Sequence, residues 1–411
     1  MKSIKTLGLL FVTGVLAVSS TGCGGSSSTS TRVATSVGRA FVPLTDPSRT
    51  ELFGGVSGRR RIGTYIWYPA APASGARPGK LFSDAIADAL SAATTIPKSV
   101  FLSLPNNSYL DSSAPNSANR YPVLVMSAGD GASTLAHTST AEYLAGRGYI
   151  VVGVNHTFNA IISAFSDTEI LPGDIAATAT GVGPEINETS GFAPRDQNWK
   201  NVVALDKYFA DDMNYVISQL PEINRTHPIL KGRLALDKIG AFGHSFGGSH
   251  SFRLLRENPQ VRAAANVDGT VFNNDFSLGA RKPYMFVSSP RPSAEDLAAV
   301  RPLLASIGLT EAEIDVVMLR LSSDTIAFQN TPGAVRVDMK KAEHNNFSDA
   351  ALWTAFGIPS ENVSTTTPAK ALFETYHRYL IAFFDEKLKG VYSDLIHKPS
   401  GDANVVVTNI P

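Results

Sequence analysis

The run Gly243-His244-Ser245-Phe246-Gly247-Gly248 constrains what this chain can fold into more than any other stretch. It sets a serine between glycines, directly after the apolar residues Ile239-Gly240-Ala241-Phe242 and directly before a segment of helical spacing. A G-x-S-x-G in that setting predicts a strand-to-helix turn too tight for bulky neighbours. The turn lifts the serine oxygen to the C-terminal edge of a sheet. With 33 glycines in 411 residues, chance supplies such a pentapeptide in roughly a quarter of chains of this kind. The flanks therefore carry the inference. Residues 234–242 read as a buried strand, and 248–257 as a helix stopped by Asn258-Pro259.

The same alternation runs through the chain. Short apolar runs at 64–68, 123–127, 150–154, 239–242, 263–267, 284–288 and 335–339 suit strands buried on both faces. Helical spacing occupies 139–147, 200–220 and 248–257. A closing helix aligns Leu372, Tyr376, Tyr379, Leu380, Phe383 and Leu388 on one face. Strands and helices in turn predict a doubly wound, mostly parallel α/β sheet with its ligand at the strand C-termini. Three segments exceed that pattern: 70–118, 158–198 and 290–331. The first two are rich in Ser, Pro, Gly and Asn and are expected to wrap the cleft or serve as surface packing. The third holds two helix-like pieces, 294–306 and 311–321, and reads equally as a lid or as surface packing.

The first 35 residues read differently. Lys2 and Lys5 precede an apolar stretch over 7–18, which is shorter than an ordinary membrane span, so residues 1–22 read as a secretory signal. Ser20-Thr21-Gly22-Cys23 resembles a lipoprotein cleavage site, with Ser20 where leucine is usual. Cys23 is the only cysteine, which excludes an internal disulfide and favours lipidation. Residues 23–35 form a Ser/Gly/Thr tether, and 36–411 a single α/β domain. The expected location is exported, as a membrane-anchored lipoprotein or else secreted. Lys+Arg and Asp+Glu balance at 36 each, with no charge block to bind nucleic acid or an acidic membrane surface. Any membrane contact is expected through the anchor at Cys23. Oligomeric state is not written in the motifs.

A serine hydroxyl needs a base to take its proton. Of the eight histidines, His344 fits best, five residues beyond the run 335–339 and late in the chain, in the order serine, acid, histidine. His156 ends an apolar strand and is a candidate pocket residue, and so is His244 beside the serine. Asp268 follows the run 263–267. Asp296 and Asp324 come after the next strand, and all three remain candidates for the acid that orients the imidazole. Backbone donors for an oxyanion are expected from the amide of Phe246 and from the loop Ser127-Ala128-Gly129-Asp130-Gly131, with Gly129 lining the pocket. No His/Cys/Asp/Glu cluster has zinc spacing and no phosphate loop occurs, so neither metal nor cofactor is expected.

Together these pieces resemble the platelet-activating-factor acetylhydrolase family, a lipase-like branch of the α/β hydrolases, over most of residues 59–385. The resemblance rests on Arg61 with Ile66-Trp67-Tyr68-Pro69-Ala70, and on Tyr121-Pro122-Val123-Leu124-Val125-Met126-Ser127. It continues through 144–152, Gly243 to Gly248, Val267-Asp268-Gly269 and His344-Asn345-Asn346-Phe347. It implies an α/β-hydrolase fold, Ser245 as nucleophile, Asp268 as acid, His344 as base, and the amides of Asp130 and Phe246 as oxyanion donors. Ala128 stands where the family usually carries histidine, which bears on substrate preference. The implied activity is ester hydrolysis through an acyl-enzyme, on short-acyl phospholipid or related carboxylic esters. Polyester, thioester or amide hydrolysis by the same machinery is the alternative, as is a tethered, non-catalytic binding scaffold.

Overall fold

The structure, a computed structural model, describes residues 35–115, 118–180, 197–272 and 276–411. The stretch read as a signal (1–22), most of the expected tether with Cys23, and part of the 158–198 segment lie outside the described residues.

Strands β1 (Val37–Thr50), β2 (Arg59–Pro69), β3 (Ser108–Leu110), β4 (Tyr121–Ser127), β5 (Ile150–His156), β8 (Leu234–His244), β9 (Val261–Val267), β10 (Tyr284–Ser288), β11 (Val335–Met339) and β12 (Val405–Asn409) form one sheet. The remaining pair, β6 (Ile162–Ser166) and β7 (Glu169–Pro172), forms a separate hairpin. The sheet runs β12-β11-β10-β9-β8-β4-β5-β2-β1-β3. From β5 through β4, β8, β9 and β10 to β11 every pairing is parallel, whereas β2, β1 and β12 join antiparallel.

Ten helices accompany these strands among the described residues: α1 (Asp84–Ala93), α2 (Lys98–Ser103), α3 (Thr138–Ala145), α4 (Ile175–Thr180), α5 (Gln197–Thr226), α6 (Phe246–Glu257), α7 (Ala294–Ser306), α8 (Glu311–Gln329), α9 (Ala350–Trp353) and α10 (Ala369–Lys389). Residue alternation on β4 shows why its sequence is apolar without interruption. Leu124 and Met126 join a core with Leu144 of α3 and with Leu380 and Phe383 of α10. Val123 and Val125 face the other way, into a core with Met213 and Val216 of α5 and Phe252 of α6. A strand covered on both faces has no polar side to present. The whole predicted face of α10 is buried, and the helix ends on Gly390 at φ 71° behind Lys387 and Lys389, a left-handed cap with cations at the negative helix end.

The fold is therefore a doubly wound, mostly parallel α/β-hydrolase sheet. Two departures from the sequence reading have physical causes. Strand β1 carries Pro43, Pro47 and three charged residues (Arg39, Asp46 and Arg49), so it lacks the apolar signature. It tolerates them because β3 pairs only with Val37 to Arg39, leaving the rest of β1 at an open edge. Segment 70–118 supplies α1, α2 and β3 at that edge, where Ser83 donates to Asp167 beside the β6–β7 hairpin at 2.6 Å. In 290–331 the second helix continues to Gln329. Arg301 of α7 pairs with Glu311 at 2.5 Å and with Asp315, which fastens the two helices together.

Candidate active site

Three strand ends deliver the polar groups of the site to one rim. β8 runs into the turn at Ser245, which stands at φ 56° and ψ −124° as the N-cap of α6. A non-glycine residue there carries roughly 1–3 kcal/mol of backbone strain. The neighbours must be small: a Cβ on Gly243 would lie 2.2 Å from the carbonyl oxygen of Gly247. The Ser245 amide donates to Val267 at 2.9 Å, pinning the turn to β9.

Asp268 follows β9, also at positive φ (56°), and its side chain is fully buried. His344 follows β11 in a short 3-10 turn. The His344 Nε2 lies 2.9 Å from Ser245 Oγ, and its Nδ1 lies 2.7 Å from Asp268 Oδ2. With an anionic oxygen facing Nδ1, the proton belongs on that nitrogen, and Nε2 is left free to accept from the serine. The second carboxylate oxygen of Asp268 accepts from the Ser289 amide at 2.6 Å and the Ser289 hydroxyl at 2.8 Å, and Arg291 pairs with it at 3.1 Å. Burial opposes the charge on Asp268. The positive Arg291, the His344 hydrogen bond and the Ser289 amide outweigh it and hold the carboxyl below the usual carboxylate range.

The other acid candidates have different partners. Asp296 caps α7 at the surface through Ser293, and Asp324 pairs with Arg291 at 2.9 Å from α8. Asp338 accepts from Ser288 and pairs with Arg336. Neither Asp296 nor Asp324 approaches His344 as Asp268 does.

Phe246 is the first residue of α6, where the backbone N–H has no partner within its own helix. Gly129 presses against the Ser245 turn: a Cβ there would sit 2.9 Å from Ser245 Cβ. Asp130 is exposed, and its side chain accepts from Asn159 at 2.5 Å. The loop after β4 and the start of α6 thus flank the serine from two sides.

Two sequence expectations need correction. His156 does not line the cleft: it is 3% exposed, with Nε2 on Ser127 at 2.9 Å and Nδ1 on Asp212 at 2.9 Å. His244 offers no open face either. Its ring packs 4.7 Å from His344, and its Nε2 donates to the His344 carbonyl at 2.8 Å. Burial first, then the neighbouring His344 and His137, keeps His244 far below the usual histidine value and therefore neutral. It packs against His344 and holds its backbone.

Sequence reasoning missed the groups beneath the site: Arg60, Asp212, Asp206, His250 and Arg291. One signal was available for Asp212. At helical spacing it falls on the stripe of Phe209 and Val216, which are buried, and a carboxylate on such a stripe must meet a cation. It meets Arg60 at 2.6 Å and Arg49 at 2.7 Å.

No protein-family model matches the chain. It is 25% identical over 169 residues to a probable 1-alkyl-2-acetylglycerophosphocholine esterase of Arthroderma benhamiae, covering 40% of this chain and 36% of that protein. It is 25% identical over 175 residues to the platelet-activating factor acetylhydrolase of Cavia porcellus (41% and 40% covered), and 23% over 186 residues to that of Canis lupus familiaris (42% and 40%). The chain thus spans about two fifths of the length of these distant relatives. Among solved structures, a ferulic acid esterase from Streptomyces cinnamoneus superposes with a TM-score of 0.68 at 24% identity, over 93% of this chain and 98% of that one. That likeness is one of fold.

Proposed function

We propose that this chain is a carboxylic ester hydrolase that works through an acyl-enzyme on Ser245, with short-acyl esters of phospholipids or related lipids as its substrates. The observation that carries the reading is the unbroken line Ser245 Oγ, His344 and Asp268, at 2.9 and 2.7 Å, ending on a serine held in a strained turn.

In this reading Ser245 Oγ attacks the acyl carbonyl while His344 Nε2 takes its proton. Asp268 keeps the imidazole in the acceptor tautomer and stabilises the imidazolium. The carbonyl oxygen becomes an oxyanion between the amides of Phe246 and Asp130. When the tetrahedral species collapses, the ester C–O bond breaks and His344 returns the proton to the leaving alkoxide. Water then attacks the acyl-enzyme, giving its proton to His344, and Ser245 recovers that proton as the acid departs. The short-acyl preference draws support from the relatives, whose names specify an acetylated alkylglycerophosphocholine or an acetylhydrolase.

A fluorophosphonate probe tests the chemistry. Ser245 should be labelled in the native chain, and Ser245→Ala should take no label and lose p-nitrophenyl acetate hydrolysis by at least about 10⁴-fold. Equal labelling of both proteins would defeat the proposal. For location, we propose export with a lipid anchor at Cys23. Cys23→Ser should then move the protein from the membrane fraction to the soluble one, and an unchanged distribution would rule the anchor out.

A further inference from the structure

Behind the nucleophile turn lies a second line of polar groups that the reaction above does not use. Ser127 ends β4 with its side chain buried, and its Oγ lies 2.9 Å from His156 Nε2 and 3.0 Å from His250 Nδ1. His156 Nδ1 meets Asp212 Oδ2 at 2.9 Å. Asp212 in turn is gripped by Arg60 and Arg49, and Arg60 also pairs with Glu51 at 2.9 Å. The order Asp212, His156, Ser127 repeats the pattern of an activated serine. Ser127, though, is wholly enclosed and cannot meet a substrate.

Counting protons fixes the direction of every bond in this line. Burial opposes the charge on Asp212, but Arg60, His156 and Arg49 overcome it, so the carboxylate stays ionised. His156 therefore carries its proton on Nδ1. Burial holds this ring below the usual histidine value, so it is neutral and Nε2 can only accept. The Ser127 hydroxyl donates to it at 2.9 Å in preference to the Ala128 carbonyl, which lies farther away at 3.3 Å. Having spent its one hydrogen, Ser127 Oγ can only accept from His250, whose proton then sits on Nδ1. His250, pushed far down by burial and then by His156 and Arg253, is neutral too, which leaves its Nε2 bare. That nitrogen faces Asp206 Oδ1 at 3.8 Å, and neither atom has a hydrogen-bond partner. Two acceptors with no proton between them stand apart in this way. The opposite tautomer of His250 would require Ser127 to supply two protons.

The line joins the segments that carry the oxyanion donors. Ser127 immediately precedes the loop of Ala128, Gly129 and Asp130. Its carbonyl oxygen lies so close to α6 that a Cβ on Gly247 would be 2.3 Å away. His250 stands on α6 with its ring 4.5 Å from that of Phe246. The His156 carbonyl accepts from the Asn159 amide at 3.1 Å, and Asn159 holds the Asp130 side chain. A buried polar network of this size is costly unless fully satisfied, and apolar residues would fill the space at less cost to stability.

We infer that Ser127, clamped in one hydrogen-bond direction between His156 and His250, is a positioning residue that keeps the amides of Phe246 and Asp130 at the spacing an oxyanion requires. The inference rests on the ester-hydrolase reading and deepens it. The donor function lies at the Nδ1 side of His250, so a side chain that donates from that position should substitute for it.

Steady-state kinetics on p-nitrophenyl acetate, with thermal denaturation of each variant, test the inference. Ser127→Ala should lower kcat about 10- to 100-fold, up to the roughly 10²-fold seen for a misplaced oxyanion donor, while KM changes less than about twofold. His250→Leu should show the same split. His250→Asn, which keeps an N–H donor at the Nδ1 position, should recover kcat to within about threefold of the native chain. An unchanged kcat in Ser127→Ala beside an active native chain overturns the inference and leaves the hydrolase reading standing. So does an equal loss in His250→Asn and His250→Leu, or a fall in kcat that only follows loss of folded protein. A native chain inert towards esters and towards the fluorophosphonate overturns the hydrolase reading itself, and the role of Ser127 falls with it.

Discussion

Replacing Arg291 with glutamine should move the acid limb of the kcat/KM–pH profile upward. Arg291 Nη1 contacts the Asp268 oxygen that His344 does not use, at 3.1 Å, while His344 Nδ1 sits 2.7 Å from the other oxygen. The guanidinium faces the Asp268 carboxylate as a unit charge about 4 Å from its centre, an attraction of about 4 kcal/mol at an effective dielectric constant of about 20. The Asp268 side chain is fully buried, so solvent screens this little. Asp324, Asp338 and Arg336 also face this cluster, and they remain in the variant. Arg291 is the largest of the groups that hold the Asp268 carboxyl down against its burial, so without the cation Asp268 takes a proton at a higher pH and its hold on the imidazole is lost sooner as pH falls. Leaving Asp268 and Asp324 buried without their cation should cost about 3–5 kcal/mol of stability, so the folded fraction must be checked by near-UV circular dichroism. Arg291→Lys keeps the charge and should keep the limb in place. An acid limb that stays put, or falls, in folded Arg291→Gln would refute the electrostatic argument.

Gly129→Ala places a Cβ 2.9 Å from Ser245 Cβ and 3.5 Å from Ser245 Oγ, so kcat/KM for a small ester should fall by about 10- to 100-fold, and the overpacked turn should cost about 1–3 kcal/mol of stability. Full activity in that variant would mean the loop has room to withdraw. His377 supplies a pH test of stability: burial, with Arg147 adding to it, pushes its imidazole down to about 3 from an unfolded value near 6.5. Below pH 6.5 the unfolded chain takes a proton that the folded chain refuses, so stability is lost as pH falls from 6.5 towards 3. Urea unfolding of His377→Gln between pH 7 and pH 5 should therefore show a loss about 2 kcal/mol smaller than the native chain's, and an identical loss would remove His377 from the account.

The strands that were legible in the sequence are those whose two faces both need apolar cover. β4, β5, β9 and β10 are nearly continuous runs, and no other element forms from such runs at that length. β1 was not legible, because a strand with an open side can carry prolines and charges there. β12 is five residues long and mostly exposed at the sheet edge, too short a run to stand out. The same contrast governs the site. Ser245 announces itself through glycines that its turn requires, and His344 through its place after the last predicted strand. Asp268 was one of three plausible acids, since sequence places a carboxylate at a strand end but does not say which neighbouring end the imidazole reaches.

The groups that tune those residues come from elsewhere in the chain, and this explains why they were invisible. Arg291 lies at the start of the 290–331 segment and joins Asp268 to Asp324 of α8, so the charge beside Asp268 is supplied by that segment rather than by the sheet. Arg60 of β2 and Asp212 of α5 are 152 residues apart, and their pairing is written only in the fold. Both depend on burial, which concentrates electrostatic effects where water is excluded. It follows that exchanging 290–331 for a relative's segment lacking an arginine at position 291 should reproduce the upward acid-limb shift of Arg291→Gln, even with every residue of the sheet retained. A chimera that keeps the native pH profile would show that the charge beside Asp268 is immaterial to the base.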